Sequence, residues 1–173
     1  MAPDFTLTDH LGNPISLGDF RGKTVVLTFL YTHCTTACPL ITSKFVGIEK
    51  TYRESLGEDV IFIAVNVDPH RDTPERIGEY LEAYGFKGYF LTGSSEEVAS
   101  VWEEYGVYVE YVEIGENETR SSTNLLGGEG EYEVIHTVQV ILIDKEGRMR
   151  VVHLGVEWED EYLAQDIVIL RDE

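Results

Sequence analysis

Cys34 and Cys38 are the only cysteines among 173 residues, and both fall in Tyr31-Thr-His-Cys-Thr-Thr-Ala-Cys-Pro39. Two thiols this close have two chemical uses. They can close one disulfide, or they can share a soft metal ion. The apolar run Val25 to Tyr31 reads as a buried strand ahead of them, and Pro39 opens a helical pattern behind them. The pair therefore lies where a strand's carboxyl end meets a helix's amino end, the place where open α/β sheets hold their ligands. A helix N-terminus favours thiolate. If the intervening turn is helical, the i, i+4 spacing brings the β-carbons to about 5–6 Å. The junction is expected to be partly exposed.

The five histidines rank unequally as partners. His33 abuts Cys34 and is expected to point away from it. His10 and His153 read as structural or solvated. His70, in Asp68-Pro-His-Arg-Asp72, lies in a loop at the same sheet end as the thiols and is a second-tier candidate. His136 is read at the start of a strand, Val134–Ile143, that faces the cysteine helix, and it is the strongest candidate. Two thiolates and one imidazole form a soft set of three. Thiolates select Cu(I), whereas zinc asks for a fourth ligand. Asp68, at a strand end, is a candidate for the surroundings of the site. Asp72 reads as a helix cap with Glu75. The C-x-x-x-C spacing is neither the C-x-x-C of thioredoxins nor the P-x-x-x-T-x-x-C of peroxiredoxins, because Tyr31 stands where that proline is needed.

The elements that must position these groups follow from periodicity. Asp4 to Leu17, folding around Leu11-Gly12-Asn13-Pro14, suggests an N-terminal hairpin. The strand Val25–Tyr31 is followed by a helix with Ile41, Phe45, Ile48, Tyr52 and Leu56 on one stripe, ended by Gly57. Val60 to Val67 is a second continuous apolar strand, as buried parallel strands are. Ile77, Tyr80, Leu81 and Tyr84 form the inner face of the next helix. A short strand, Gly88 to Thr92, precedes a helix capped by Ser94 and Glu97. Val107 to Glu113 alternates like an edge strand, and Gly115 to Gly130 reads as an exposed loop. The strands Val134–Ile143 and Arg148–Leu154 and a helix carrying Leu163, Ile167 and Leu170 close the chain. This order predicts a single α/β domain over residues 1–173, of thioredoxin-like fold, with an N-terminal β-hairpin and a β-hairpin/loop insertion before the last strands.

The formal charge is -19, from 13 basic and 32 acidic residues. Such a chain repels nucleic acid and anionic membrane surfaces. Between residues 96 and 133 eleven glutamates face one base, Arg120, which reads as a solvated face. No run approaches the roughly 20 apolar residues that span a bilayer, and no signal peptide is visible.

Three segments together resemble the Sco/SenC family of copper chaperones for cytochrome c oxidase assembly. Tyr31 to Pro39 looks like that family's Y-T-x-C-x-x-x-C-P motif, and Val67-Asp-Pro-His-Arg-Asp-Thr-Pro74 like its V-D-P-x-R-D-T-P segment. His136, ahead of Thr137-Val-Gln-Val-Ile-Leu-Ile-Asp144, sits where the family carries a copper-ligating histidine. The resemblance implies Cys34, Cys38 and His136 as ligands of Cu(I) or Cu(II), with Asp68 nearby. It implies a binding protein rather than an enzyme. The other reading is a thiol–disulfide oxidoreductase that uses Cys34 and Cys38 to reduce the cysteines of the oxidase copper site. Implied partners are the copper-bearing subunit of cytochrome c oxidase and other copper chaperones or thiol reductants, with no nucleic acid. The implied location is extracytoplasmic, on a membrane only through an anchor absent from this chain. Two departures stand out: Thr35-Thr36 where the family often has Pro-Asp, and Ile135 where it often has Asp.

Overall fold

The computed structural model describes residues 1–56, 58–113, 120–122 and 132–173. The expected hairpin forms from β1 (Thr6–Thr8) and β2 (Pro14–Ser16), which pair antiparallel. A 3-10 turn, Leu17–Phe20, leads into β3 (Thr24–Leu30), buried at every position. The helix α1 (Ala37–Leu56) follows, with its Phe45 ring 5.1 Å from that of Phe62. Ile41, Phe45 and Ile48 on its stripe are buried, and Tyr52 is half-buried. The side chain of Leu56, and Gly57 as helix terminator, lie outside the described residues.

The second continuous strand is β4 (Val60–Asn66). It leads to α2 (Pro74–Tyr84), which places proline in its first turn, where a missing N–H costs nothing. Gly85 ends α2 at φ 66°, a left-handed conformation that glycine adopts without strain. Then come β5 (Tyr89–Leu91) and α3 (Ser95–Glu104). The box of Ser94 and Glu97 caps α3, with each side chain bonded to the other's backbone N–H.

The later part is β6 (Val109–Glu113), β7 (Arg120–Ser122), β8 (Tyr132–His136), β9 (Gln139–Ile143), β10 (Met149–Leu154) and α4 (Asp160–Asp172). The main sheet has the order β10-β9-β3-β4-β5. β3, β4 and β5 are parallel, and β9 and β10 antiparallel. A separate three-stranded antiparallel sheet has the order β7-β6-β8. The architecture is mixed α/β and thioredoxin-like. The buried apolar cluster reaches from the main sheet into the small one through Tyr111, Tyr132 and Val134.

Two expectations about the strands need correction. The single strand Val134–Ile143 is two strands in two sheets, broken at residues 137 and 138. His136 therefore ends β8 rather than beginning β9. The reason is a change of burial period: β8 alternates buried and exposed residues, whereas β9 is buried at all five positions. Alternation suits a half-covered antiparallel strand, and a continuous apolar run suits one covered on both faces. The stretch Gly115–Gly130, read as loop, contains β7 at Arg120–Ser122, and the remainder lies outside the described residues.

Candidate metal centre

The thiol pair is more enclosed than the junction led us to expect, with Cys34 8% exposed and Cys38 fully buried. Helix α1 begins only at Ala37. Cys34 thus lies ahead of the helix and folds back over its first turn, where its sulfur accepts the Cys38 N–H at 3.4 Å. The Thr36 hydroxyl lies 3.8 Å from the same sulfur. Both thiols are free.

These contacts divide the acidity of the pair. The Cys38 side chain, as a hydrogen-bond donor, is the largest influence on Cys34 and lowers it. Burial pushes the other way, while the backbone N–H groups of Cys38 and Thr36 lower it again; the outcome is about 4. Cys38 is pushed up, first by its bond to Cys34, then by burial and by the charge of its neighbour. The pair therefore behaves as one thiolate and one thiol sharing a proton.

His136 comes from the other sheet. Its Nδ1 is 2.9 Å from the carbonyl of Thr137. A carbonyl only accepts, so Nδ1 carries the proton and Nε2 presents a lone pair. That Nε2 faces the Cys38 sulfur at 3.9 Å. Burial lowers the pKa of the imidazole and keeps it neutral. This is the state in which histidine binds metals, its second nitrogen fixed by a backbone carbonyl. Two sulfurs and one such nitrogen suit a soft ion.

Tyr31, the end of the expected strand and the first residue of the cysteine motif, joins the two sides. Its ring stands edge-on to His136 with centroids 5.8 Å apart, and its hydroxyl donates to the Val134 carbonyl at 3.1 Å. A cleft of about 310 Å³ opens beside the thiol loop, lined among others by Tyr31, His33, Thr36, Arg71, Tyr132 and Ile135.

The remaining candidates go elsewhere. His33 turns to Asp72, Nδ1 to Oδ1 3.2 Å. The His70 ring meets Tyr111 edge-on at 5.6 Å. His153 pairs with Asp166 at 3.0 Å, and His10 lies against Gly78. Asp68 is fully buried and both its oxygens are taken, by the Tyr132 hydroxyl at 2.6 Å and by Arg71 Nε at 2.6 Å. Asp72 is not the cap of α2. Thr73 fills that role by accepting the Arg76 N–H. Asp72 instead turns inward and accepts the N–H and hydroxyl of Thr32, at 2.9 and 2.6 Å. Burial raises its pKa, against those bonds. Among the described residues, His33, Asp68 and Asp72 bring donor atoms within 4.8 Å of one another. This is a hard, oxygen-rich group whose carboxylates are already satisfied by Thr32, Tyr132 and Arg71, and it does not suit a soft ion. Tyr132 gave no signal of its own in the sequence, and Thr32 entered only as part of the Tyr31 to Pro39 motif. The crowding of three charges into Asp68-Pro-His-Arg-Asp72 was the available clue.

Fold and site together define a thioredoxin-like thiol protein in which an imidazole faces the cysteine pair. Residues 1–170 match the SCO1/SenC family, and the chain belongs to it. Protein sco1 of Schizosaccharomyces pombe is 32% identical over 144 residues, covering 83% of this chain and 51% of that protein. The chain spans about half the length of the curated relatives it matches. Among solved structures, Arabidopsis thaliana ScoI with copper bound is 27% identical, with a TM-score of 0.80 and coverage of 97% and 96% of the two chains. A SCO1/SenC family lipoprotein from Bacillus anthracis is 26% identical, with a TM-score of 0.75 and coverage of 97% and 93%.

Proposed function

We propose that this chain carries one copper ion on Cys34 Sγ, Cys38 Sγ and His136 Nε2, for delivery to the copper centre of cytochrome c oxidase. The observation that carries the reading is the neutral His136 imidazole, its Nδ1 bonded to Thr137 and its Nε2 aimed at the Cys38 sulfur. A relative of like fold that holds copper supports the choice of ion. The thiolates supply the hold on Cu(I), and the imidazole adds the donor that Cu(II) favours. Because Cys34 is ionised at neutral pH, one ligand is ready before the metal arrives. The partners are the copper-bearing subunit of the oxidase, the copper chaperones that load this one and the thiol reductants that keep its cysteines reduced. The lipoprotein relative supports an extracytoplasmic site of action at a membrane surface.

A second reading rests on the split acidities. The Cys34 thiolate attacks a substrate disulfide and forms a mixed disulfide, expelling one substrate thiolate. Cys38, once deprotonated, attacks Cys34, releases the second substrate thiolate and leaves a Cys34–Cys38 disulfide, so two electrons pass to the substrate. Metal analysis and thiol counting after anaerobic copper loading of the reduced protein separate the two. One copper per chain with both thiols protected from alkylation supports carriage. Disulfide-reductase turnover without retained copper supports the second reading and overturns the first.

A further inference from the structure

The segment between β4 and α2 touches both sides of the site. Within one turn, closed by the Arg71 and Asp72 N–H groups on the Asp68 carbonyl, two buried carboxylates point to different partners. Asp72 holds Thr32, two residues before Cys34. Asp68 holds Tyr132, the first residue of the strand that ends in His136. Arg71 doubles that second hold. It binds Asp68 through Nε, donates to the Tyr132 carbonyl at 2.8 Å, and lies over the Tyr132 ring at 3.7 Å. Tyr132 is thus gripped at its hydroxyl, its ring and its backbone by one residue pair.

The grip matters because β8, among the described residues, is an edge strand whose strand partner is β6, in a register that sets Tyr132 opposite Glu113 and His136 opposite Val109. Side chains alternate along a strand, so a slip of one residue would turn His136 to the opposite face. Tyr132 and His136 are about 14 Å apart along the strand. Direct contact with the metal is therefore not needed for the carboxylate to matter. Resting on the ligand set proposed above, we infer that Asp68, through Tyr132 and Arg71, is a positioning residue that fixes the register of β8 and so holds His136 Nε2 against the thiols. Asp72, equally buried in the same turn, serves the cysteine loop and not the histidine.

The test compares Tyr132→Phe, Asp68→Asn, Asp72→Asn and His136→Ala. Cu(I) affinity is read by chelator competition, Cu(II) affinity and electron paramagnetic resonance on the oxidised-metal complex, and amide exchange at residues 132–136 on copper-free protein. In Tyr132→Phe and Asp68→Asn the ratio of Cu(II) to Cu(I) affinity should fall about tenfold, with an altered resonance spectrum, while Cu(I) affinity stays within about threefold. Exchange at residues 132–136 should quicken. In Asp72→Asn the ratio should hold. An unchanged ratio and spectrum in Tyr132→Phe overturns the inference, and so does an equal fall in Asp72→Asn, which would mean general loosening. If Asp68→Asn does not fold, Tyr132→Phe, which loses one hydroxyl, decides alone. An unaffected Cu(II) affinity in His136→Ala would instead sink the ligand set itself. A fall there without one in Tyr132→Phe sinks only the positioning role.

Discussion

The cysteine side of the site hangs from the middle of the five-stranded sheet, and the histidine side from the edge of the three-stranded one. β3 lies between β9 and β4 and is buried at all seven positions, and Ile41, Phe45 and Ile48 of α1 belong to the same buried apolar cluster. Cys38 is anchored in that packing. Among the described residues β8 has a strand neighbour on one side only, it exposes Glu133 and Ile135, and its backbone is fastened by side chains: Arg71 at Tyr132 and Tyr31 at Val134. Local opening is cheapest where few apolar contacts and many exposed backbone bonds hold a segment. One half of the site is thus welded into the core and the other is pinned to it. For the proposed carrier this allows thiols that hold firmly and a histidine that yields when another protein's ligands compete.

The largest effect should come from the welded half. Cys34→Ser or Cys38→Ser should lower Cu(I) affinity by about a thousandfold, roughly 4 kcal/mol, because thiolates are the ligands Cu(I) selects. The disulfide-linked protein should load copper only after reduction, since a disulfide offers no thiolate. His136→Ala should retain Cu(I) binding and weaken Cu(II) more. Stoichiometric tight copper in the double serine variant would break the distinction between the halves.

Next is a proton count. At pH 7 Cys34, held at about 4, is already ionised, Cys38 keeps its proton, and His136, lowered by burial, is neutral. Copper(I) loading should therefore release about one proton per chain, where two ordinary thiols would release about two. Near neutrality the logarithm of affinity should rise about one unit per pH unit. It should fall more steeply once pH drops through about 4, where Cys34 also takes up a proton. Calorimetry in buffers of different ionisation enthalpy measures the count, and a value of two would mean that the thiols do not share one proton.

Hydrogen exchange reads the comparison directly. Amides of residues 132–136 should exchange faster than those of residues 24–30 in copper-free protein. Copper should slow the first set by about tenfold, roughly 1.4 kcal/mol, and leave the second set unchanged. Equal protection of both sets would make the site a single rigid body.

Much of the welded half was legible in the sequence. Continuous apolar runs mark β3, β4 and β9, and caps such as Ser94 with Glu97 fix helix starts, because these are local patterns. The pinned half was legible only in part. His136 stood out as the partner of the thiols, but its strand was merged with β9, since the break at residues 137–138 carries neither glycine nor proline. Asp72 read as a cap because capping is a sequence-local rule, whereas its actual partner, Thr32, is 40 residues away. The link of Asp68 to Tyr132 spans 64 residues and leaves no periodic trace.

The smallest expected effect lies at Tyr31, which belongs to the cysteine side by sequence and reaches the histidine side through its ring and hydroxyl. Tyr31→Phe keeps the ring against His136 and removes the hydroxyl, which donates to the Val134 carbonyl and also lies against the Cys34 side chain. Val134 is buried, so its carbonyl loses a partner that water does not easily replace. The loss should be about 1 kcal/mol, the usual net worth of one such bond. Where it is felt decides the comparison. If β8 is pinned, the loss appears as faster exchange at residues 132–136 and a modest fall in Cu(II) affinity, with residues 24–30 and the urea midpoint hardly moved. If the two sheets open as one unit, the midpoint falls by the full amount and exchange quickens equally in both sets, which would leave no separate histidine half to adjust.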